Sequence, residues 1–144
     1  MANTLYDQDF YAWTIQTAQA LKEKAFNKVD FEHLVEELES MGASEKRELR
    51  SRLKQLIMHL LKLKYQPDYI NTASWVRSVR NQRRELFIHL KDNPSLKPRV
   101  AESIDEIYPI AVSLASEETG IKEETFSLEC PFTTSQILDD NFYP

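Results

Sequence analysis

The side chains able to do chemistry are few, so their spacing decides what they can build. The chain has three histidines and one cysteine in 144 residues. His33 and Glu37 stand four apart, as do Glu85 and His89, while His59 flanks a row of leucines. If their helices were neighbours, imidazoles and carboxylates would converge on a donor set suited to zinc or iron. A metal-dependent hydrolase or oxidase using His33, Glu37, His59, Glu85 and His89 is therefore one reading. The spacing opposes it. Carboxylate-bridged bundles place Glu and His three apart and add further glutamates. A His and a Glu four apart are ordinary neighbours on one helix face. The expectation is structural histidines, no tightly bound metal and no cofactor.

Cys130 lies in Glu129-Cys130-Pro131-Phe132 with no histidine beside it, and a thiol nucleophile needs a base. It reads as a buried, inert thiol. Glu36 and Glu39 point away from the apolar stripe of their segment, so this acidic run reads as a solvated face. Trp13 and Trp75 sit on apolar stripes and read as core anchors.

Charge is more informative. Residues 46–99 hold 14 Lys and Arg against 4 Asp and Glu, whereas the rest of the chain holds 4 basic and 19 acidic residues. A net charge of −5 thus hides a basic middle. Arg77, Arg80, Arg84 and Lys91 fall within about 60° of one another on a helical wheel, opposite Trp75 and Leu86. Such a stripe is most often a solvated face. It can also meet an acidic protein partner steered by the long-range field, or follow nucleic-acid phosphates by releasing counterions. The acidic remainder would repel a duplex, so a protein partner is favoured over nucleic acid.

These residues must be positioned by helices. Only Gly42 and Gly120 are glycines, too few for a turn-rich strand domain. A first helix begins near Thr4, with Phe10, Trp13, Thr17, Ala20 and Leu21 inward. A second runs from about Asp30 to Met41 on Phe31, Leu34, Leu38 and Met41, with Gly42 ending it. Ser44 then caps a third, ending at Tyr65 before Gln66-Pro67, on Leu49, Leu53, Leu56, Leu60 and Leu63. Gly42-Ala43 between them also permits a helix-turn-helix reading of residues 30–65, although the second helix looks like a bundle spine. A further helix runs from Thr72 to Asp92 with Trp75, Val79, Leu86 and Leu90 on one face, broken by Asn93-Pro94. Another starts near Ser95 and ends at Thr119-Gly120, with a kink or break expected at Pro109. Residues 122–125 read as one turn and Thr134 to Asp140 as a short helix.

Composition closes several routes. One cysteine excludes an intramolecular disulfide framework and a Cys-based zinc site. Two glycines exclude a phosphate loop and a dinucleotide fingerprint. No apolar run reaches the roughly 20 residues of a membrane span. Met1 to Phe10 lacks the basic cluster of a signal peptide, so a soluble cytoplasmic protein is expected.

Several short motifs occur together in one order: Tyr6-Asp7-x-Asp9-Phe10-x-x-Trp13, Glu36-Glu37-x-Glu39, His59-Leu60-Leu61-Lys62, Gln66-Pro67, Ser74-Trp75, Gln82-Arg83, Pro94-Ser95-Leu96, Glu118-Thr119-Gly120 and Cys130-Pro131. In these the chain resembles the bacterial family known as domain of unknown function 29. Leu63 departs from the tryptophan that relatives often carry, and a bundle position accepts either. The resemblance implies an all-helical fold and a cyanobacterial source. It implies no activity, cofactor or catalytic residue.

The resulting expectation is one all-α domain over residues 1–144, an irregular bundle of about five helices with a short C-terminal extension. Trp13, Leu38, Leu53, Leu56, Leu60, Trp75, Leu86, Ile104 and Leu114 should be core. The expected function is a non-enzymatic interaction module whose basic face, Arg77, Arg80, Arg84 and Lys91, meets an acidic protein. A metal-dependent enzyme and a small nucleic-acid binder are the alternatives.

Overall fold

A computed structural model describes residues 4–144, and among these there are α-helices and short 3-10 turns but no strand. The protein is all-α. Its helices are α1 (Leu5–Gln8), α2 (Phe10–Lys22), α3 (Phe31–Tyr65), α4 (Thr72–Asp92), α5 (Val100–Thr119) and α6 (Thr134–Leu138). The chain forms two compact units, one up to Ser44 and one spanning Glu45–Pro144, and the division falls within α3.

In the first unit the expected N-terminal helix is split in two. Thr4 caps α1 by accepting from the Asp7 N–H at 3.3 Å, as its position suggests. Asp9 then leaves helical geometry and caps α2 by accepting from the Ala12 N–H at 3.0 Å. Trp13, Thr17 and Ala20 are buried. Asp30 caps α3 through the His33 N–H at 3.2 Å.

Four expectations fail in or next to this unit. Gly42 does not end a helix: α3 runs unbroken through it for 35 residues. A glycine costs only about 1 kcal/mol inside a helix, and no proline stands nearby to break the hydrogen-bond ladder. Ser44 is therefore mid-helix rather than a cap, and no turn exists for a helix-turn-helix at residues 30–65. Leu38, expected in the core, is 59% exposed. The cause is the face that α3 turns inward. Tyr6 stacks on His33 at 4.0 Å and donates to Glu37. Leu38 lies one step of about 100° round from Glu37, and it points outward with Phe31, Val35 and Met41.

The second unit has a conventional core. From Leu49 to Leu63, α3 is buried on nearly every side, as expected of a spine. Leu53, Leu56 and Leu60 are wholly inaccessible. Against them pack Trp75, Val79, Leu86 and Leu90 of α4 with Ile104, Ile107 and Ala111 of α5. Leu114 is only half-buried, at the edge of this cluster. Helix α4 has the limits its sequence suggests. Pro94–Arg99 forms a 3-10 stretch, so α5 starts at Val100 rather than near Ser95. Pro109 causes no break: it is exposed between buried turns, and the carbonyl it leaves unbonded belongs to exposed Asp105. Gly120 ends α5 at φ +77°.

The C-terminal segment is tied to this core. Tyr108 donates to the Ser127 carbonyl at 2.6 Å, and the Ser127 N–H donates to the Tyr65 hydroxyl at 3.1 Å. Phe126, Phe132 and Ile137 are buried. Thr133 and Gln136 cap α6 reciprocally.

Candidate functional site

The basic residues picked out on α4 follow from its amphipathic pattern. With Trp75, Val79, Leu86 and Leu90 inward, Arg77, Arg80, Arg84 and Lys91 must emerge opposite, and all four are exposed. Among the described residues none of them forms an ion pair, so pairing with the chain's own acidic helices does not consume the stripe.

Three of the four border a groove. Its larger part, of about 660 Å³, runs between α4, the 3-10 stretch and α6, with Leu90, Val100 and Leu138 as apolar lining and Lys91 and Lys97 as cations. A second part, of about 380 Å³, has Arg80, Arg84 and Tyr143 along it. Arg83, Phe87 and Asp140 line both parts, which makes them one continuous depression. Phe87 is 70% exposed and gives the groove an apolar contact open to solvent. Arg77 lines neither part.

Arg83 is the residue that the charge stripe missed. It is buried, its Nε donates to the Ile137 carbonyl at 2.8 Å, and its Nη2 donates to the Gln136 carbonyl at 3.1 Å. Its guanidinium stands 5.2 Å from the Tyr143 ring centre. Nη1 is buried with no partner. Burial pushes its pKa down, and Tyr143 and Asp140 act against that. Its position was nevertheless readable: residue 83 continues the apolar spacing of Val79 and Leu86, so it is the charged member of the inward stripe.

The histidines and carboxylates divide among separate partners. His33 binds Asp30 and stacks on Tyr6 in the first unit; the Asp30 contact raises its pKa, and Asp30 is lowered by the same hydrogen bond. Glu37 accepts from Tyr6, whose phenol is pushed up to about 12 chiefly by that bond. In the second unit Glu85 meets Arg52 at 3.8 Å. His59 has a buried Nδ1 without a partner, and burial, aided by the Lys62 charge, holds its pKa down at about 4. Lys62 is itself buried, paired with Glu118 at 2.8 Å and 4.6 Å from the Trp75 ring centre. Among the described residues, no hydrogen bond or ion pair joins any two of His33, Glu37, His59, Glu85 and His89.

His89 instead meets two glutamates that the sequence reading did not single out. Its Nδ1 lies 2.6 Å from Glu48 Oε2 and 3.5 Å from Glu45 Oε2. These three are the described residues that group in a way able to hold a metal ion. Glu45 and Glu48, three apart on α3, share a face, which is the signal that would have found them. Cys130 is half-buried rather than buried, and burial raises its thiol pKa.

The model of a family described as a domain of unknown function, DUF29, matches residues 5–143. The chain belongs to the DUF29 family. The match takes in both units, the groove and every histidine, so all of these belong to the DUF29 region. No curated protein and no solved structure matches the chain. No DUF29 helix here is long and apolar enough to cross a membrane among the described residues.

Proposed function

We propose that this DUF29 chain is a non-enzymatic helical interaction module, whose groove along α4 takes a segment of an acidic protein partner. The observation that carries the reading is the mixed lining of that groove. Arg80, Arg84, Lys91 and Lys97 stand around the apolar Leu90, Val100 and Leu138. Such a lining matches a segment with an apolar anchor flanked by carboxylates. Arg83, which lines both parts of the groove, adds its guanidinium charge to the same wall. Nucleic acid is disfavoured, because the groove is bordered by Asp140 and much of the chain is acidic. A cytoplasmic setting belongs to the same proposal, since the one thiol has no partner for an intramolecular disulfide.

Fluorescence anisotropy tests it with labelled amphipathic peptides, in which Glu surrounds Leu or Phe, beside the same peptides with Gln for Glu and a labelled DNA duplex. The Glu peptides should bind, weaken as salt rises, and be lost in an Arg80→Gln, Arg84→Gln, Lys91→Gln triple variant. Arg77→Gln should change little, because Arg77 lies outside the groove. Equal binding of Glu and Gln peptides would remove the acidic partner. Duplex binding at physiological salt, with a log–log slope near −0.9 per phosphate contacted, would replace it by nucleic acid.

A further inference from the structure

We infer that Glu45, Glu48 and His89 form a binding site for a divalent ion of the zinc class, separate from the α4 groove. The sequence pairs His89 with Glu85 on one helix, and the expectation of no metal rests on that set. In the structure Glu85 turns to Arg52, and His89 faces α3.

The partners of His89 fix where its ring proton sits. Its Nε2 lies 2.9 Å from the backbone carbonyl oxygen of Glu45. A carbonyl only accepts, so Nε2 carries the hydrogen and donates it. In the neutral ring this leaves the lone pair on Nδ1. That lone pair faces Glu48 Oε2 at 2.6 Å and Glu45 Oε2 at 3.5 Å. These three donor atoms lie within 4.8 Å of one another, and a cation between them relieves their repulsion. That cation is either a second proton on the imidazole or a metal ion.

A proton fits the 2.6 Å spacing as it stands, whereas a metal held at about 2.0–2.2 Å needs the half-exposed Glu48 carboxylate to draw back by several tenths of an ångström. Three features favour the metal. First, a ring N–H held by a backbone carbonyl is the arrangement that orients a ligating histidine and makes its other nitrogen a better donor. Second, the ring is fixed: His89 is only 6% exposed, whereas both glutamates are half-exposed, so an ion can enter from solvent and keep water in its remaining positions. Third, the charges balance. Glu45 and Glu48 neutralise a divalent ion, while Arg52, 3.4 Å from the other oxygen of Glu48, is offset by Glu85. Arg52 thus leaves Glu48 Oε2 free to bind the ion. One imidazole nitrogen and two carboxylate oxygens, completed by water, suit Zn²⁺ and its spectroscopic substitute Co²⁺. Mn²⁺ should bind more weakly, following the order of divalent affinities.

Untagged protein, stripped with chelator, is titrated with Zn²⁺ by calorimetry and with Co²⁺ by visible absorption. Wild type should take up one equivalent, with Co²⁺ bands whose intensity reports low coordination number. Glu45→Gln and Glu48→Gln should each weaken binding at least tenfold, and His33→Gln should leave it unchanged. Because His89 is buried, His89→Gln could lose binding by unfolding; Glu45 is exposed, so its variant keeps the test decisive, with circular dichroism confirming the fold. Absence of uptake by wild type up to about 100 μM metal would overturn the site and leave a protonated His89 paired with Glu48. Uptake unaffected by both glutamate variants would also overturn it. Neither result bears on peptide binding by the groove, so the two readings stand or fall separately.

Discussion

Arg83 Nε lies 2.8 Å from the Ile137 carbonyl oxygen, so a buried arginine of α4 holds α6 from a position 54 residues earlier in the chain. The contact unites two properties of the second unit. It closes the C-terminal segment onto the core, and it sets the floor of the groove at the point where both of its parts meet.

Arg83→Met keeps much of the side-chain volume but removes both donors, leaving the Gln136 and Ile137 carbonyls short of partners. A lost charged hydrogen bond and a stranded buried acceptor together should cost about 2–4 kcal/mol, read by urea unfolding. Arg84→Gln, one residue on but exposed, should stay within about 0.5 kcal/mol. Equal effects from the two would mean that the α6 contact contributes nothing to stability.

The two glycines should respond with opposite signs. A Cβ on Gly42 would meet no heavy atom within 4 Å, and the residue is helical, so Gly42→Ala should stabilise by about 0.5–1 kcal/mol. Gly120 has φ +77°, so Gly120→Ala should destabilise by about 1 kcal/mol despite equally open space. Thermal melts of both variants check the pair. A destabilised Gly42→Ala would argue that α3 breaks there in solution.

Leu38 and Leu53 sit on one helix but in different surroundings. Leu53→Ala should cost about 2–5 kcal/mol, because the side chain is inaccessible and its loss leaves a cavity. Leu38→Ala should cost less than about 1 kcal/mol, because the side chain is 59% exposed. Chemical denaturation separates these values clearly. A large cost at Leu38 would show that its face is covered in solution.

What the sequence disclosed follows from which forces are local. Helix α4 was legible to the residue, since Asn93-Pro94 stops it and its stripe is regular. Arg80, Arg84 and Lys91 were legible for the same reason, as angles on one helix. The continuity of α3 was not, because a single glycine shifts helix energy by only about 1 kcal/mol, which the helix on either side outweighs. The groove's other wall was not legible either. Val100 and Leu138 reach it through tertiary packing, and no period in the chain relates residues 90 and 138. In the sequence His89 falls beside Glu85 because both lie on α4. Its actual neighbours come from α3, and only the docking of two helices supplies them.

His59 should make stability depend on pH in a definite direction. Its pKa is held at about 4 in the folded chain, by burial first and by Lys62 second. The unfolded chain has the ordinary value near 6.5. Between these limits the unfolded state binds more protons, so stability falls as pH falls from 6.5 toward 4. Above that window both states are neutral at His59, and below it both are charged, so the contribution is constant outside it. His33 has the opposite sign: its raised pKa gives stability that is present below 6.5 and lost as pH rises through the folded value. Subtracting a His59→Gln variant isolates the first effect, because His33 remains in both proteins. Relative to wild type the variant should gain on the order of 1 kcal/mol between pH 7 and pH 4, less than the full shift implies, because water reaches part of the ring. The measurement is urea unfolding at several pH values. Parallel profiles for the two proteins would mean that His59 titrates normally and that its imidazole is solvated in the folded chain.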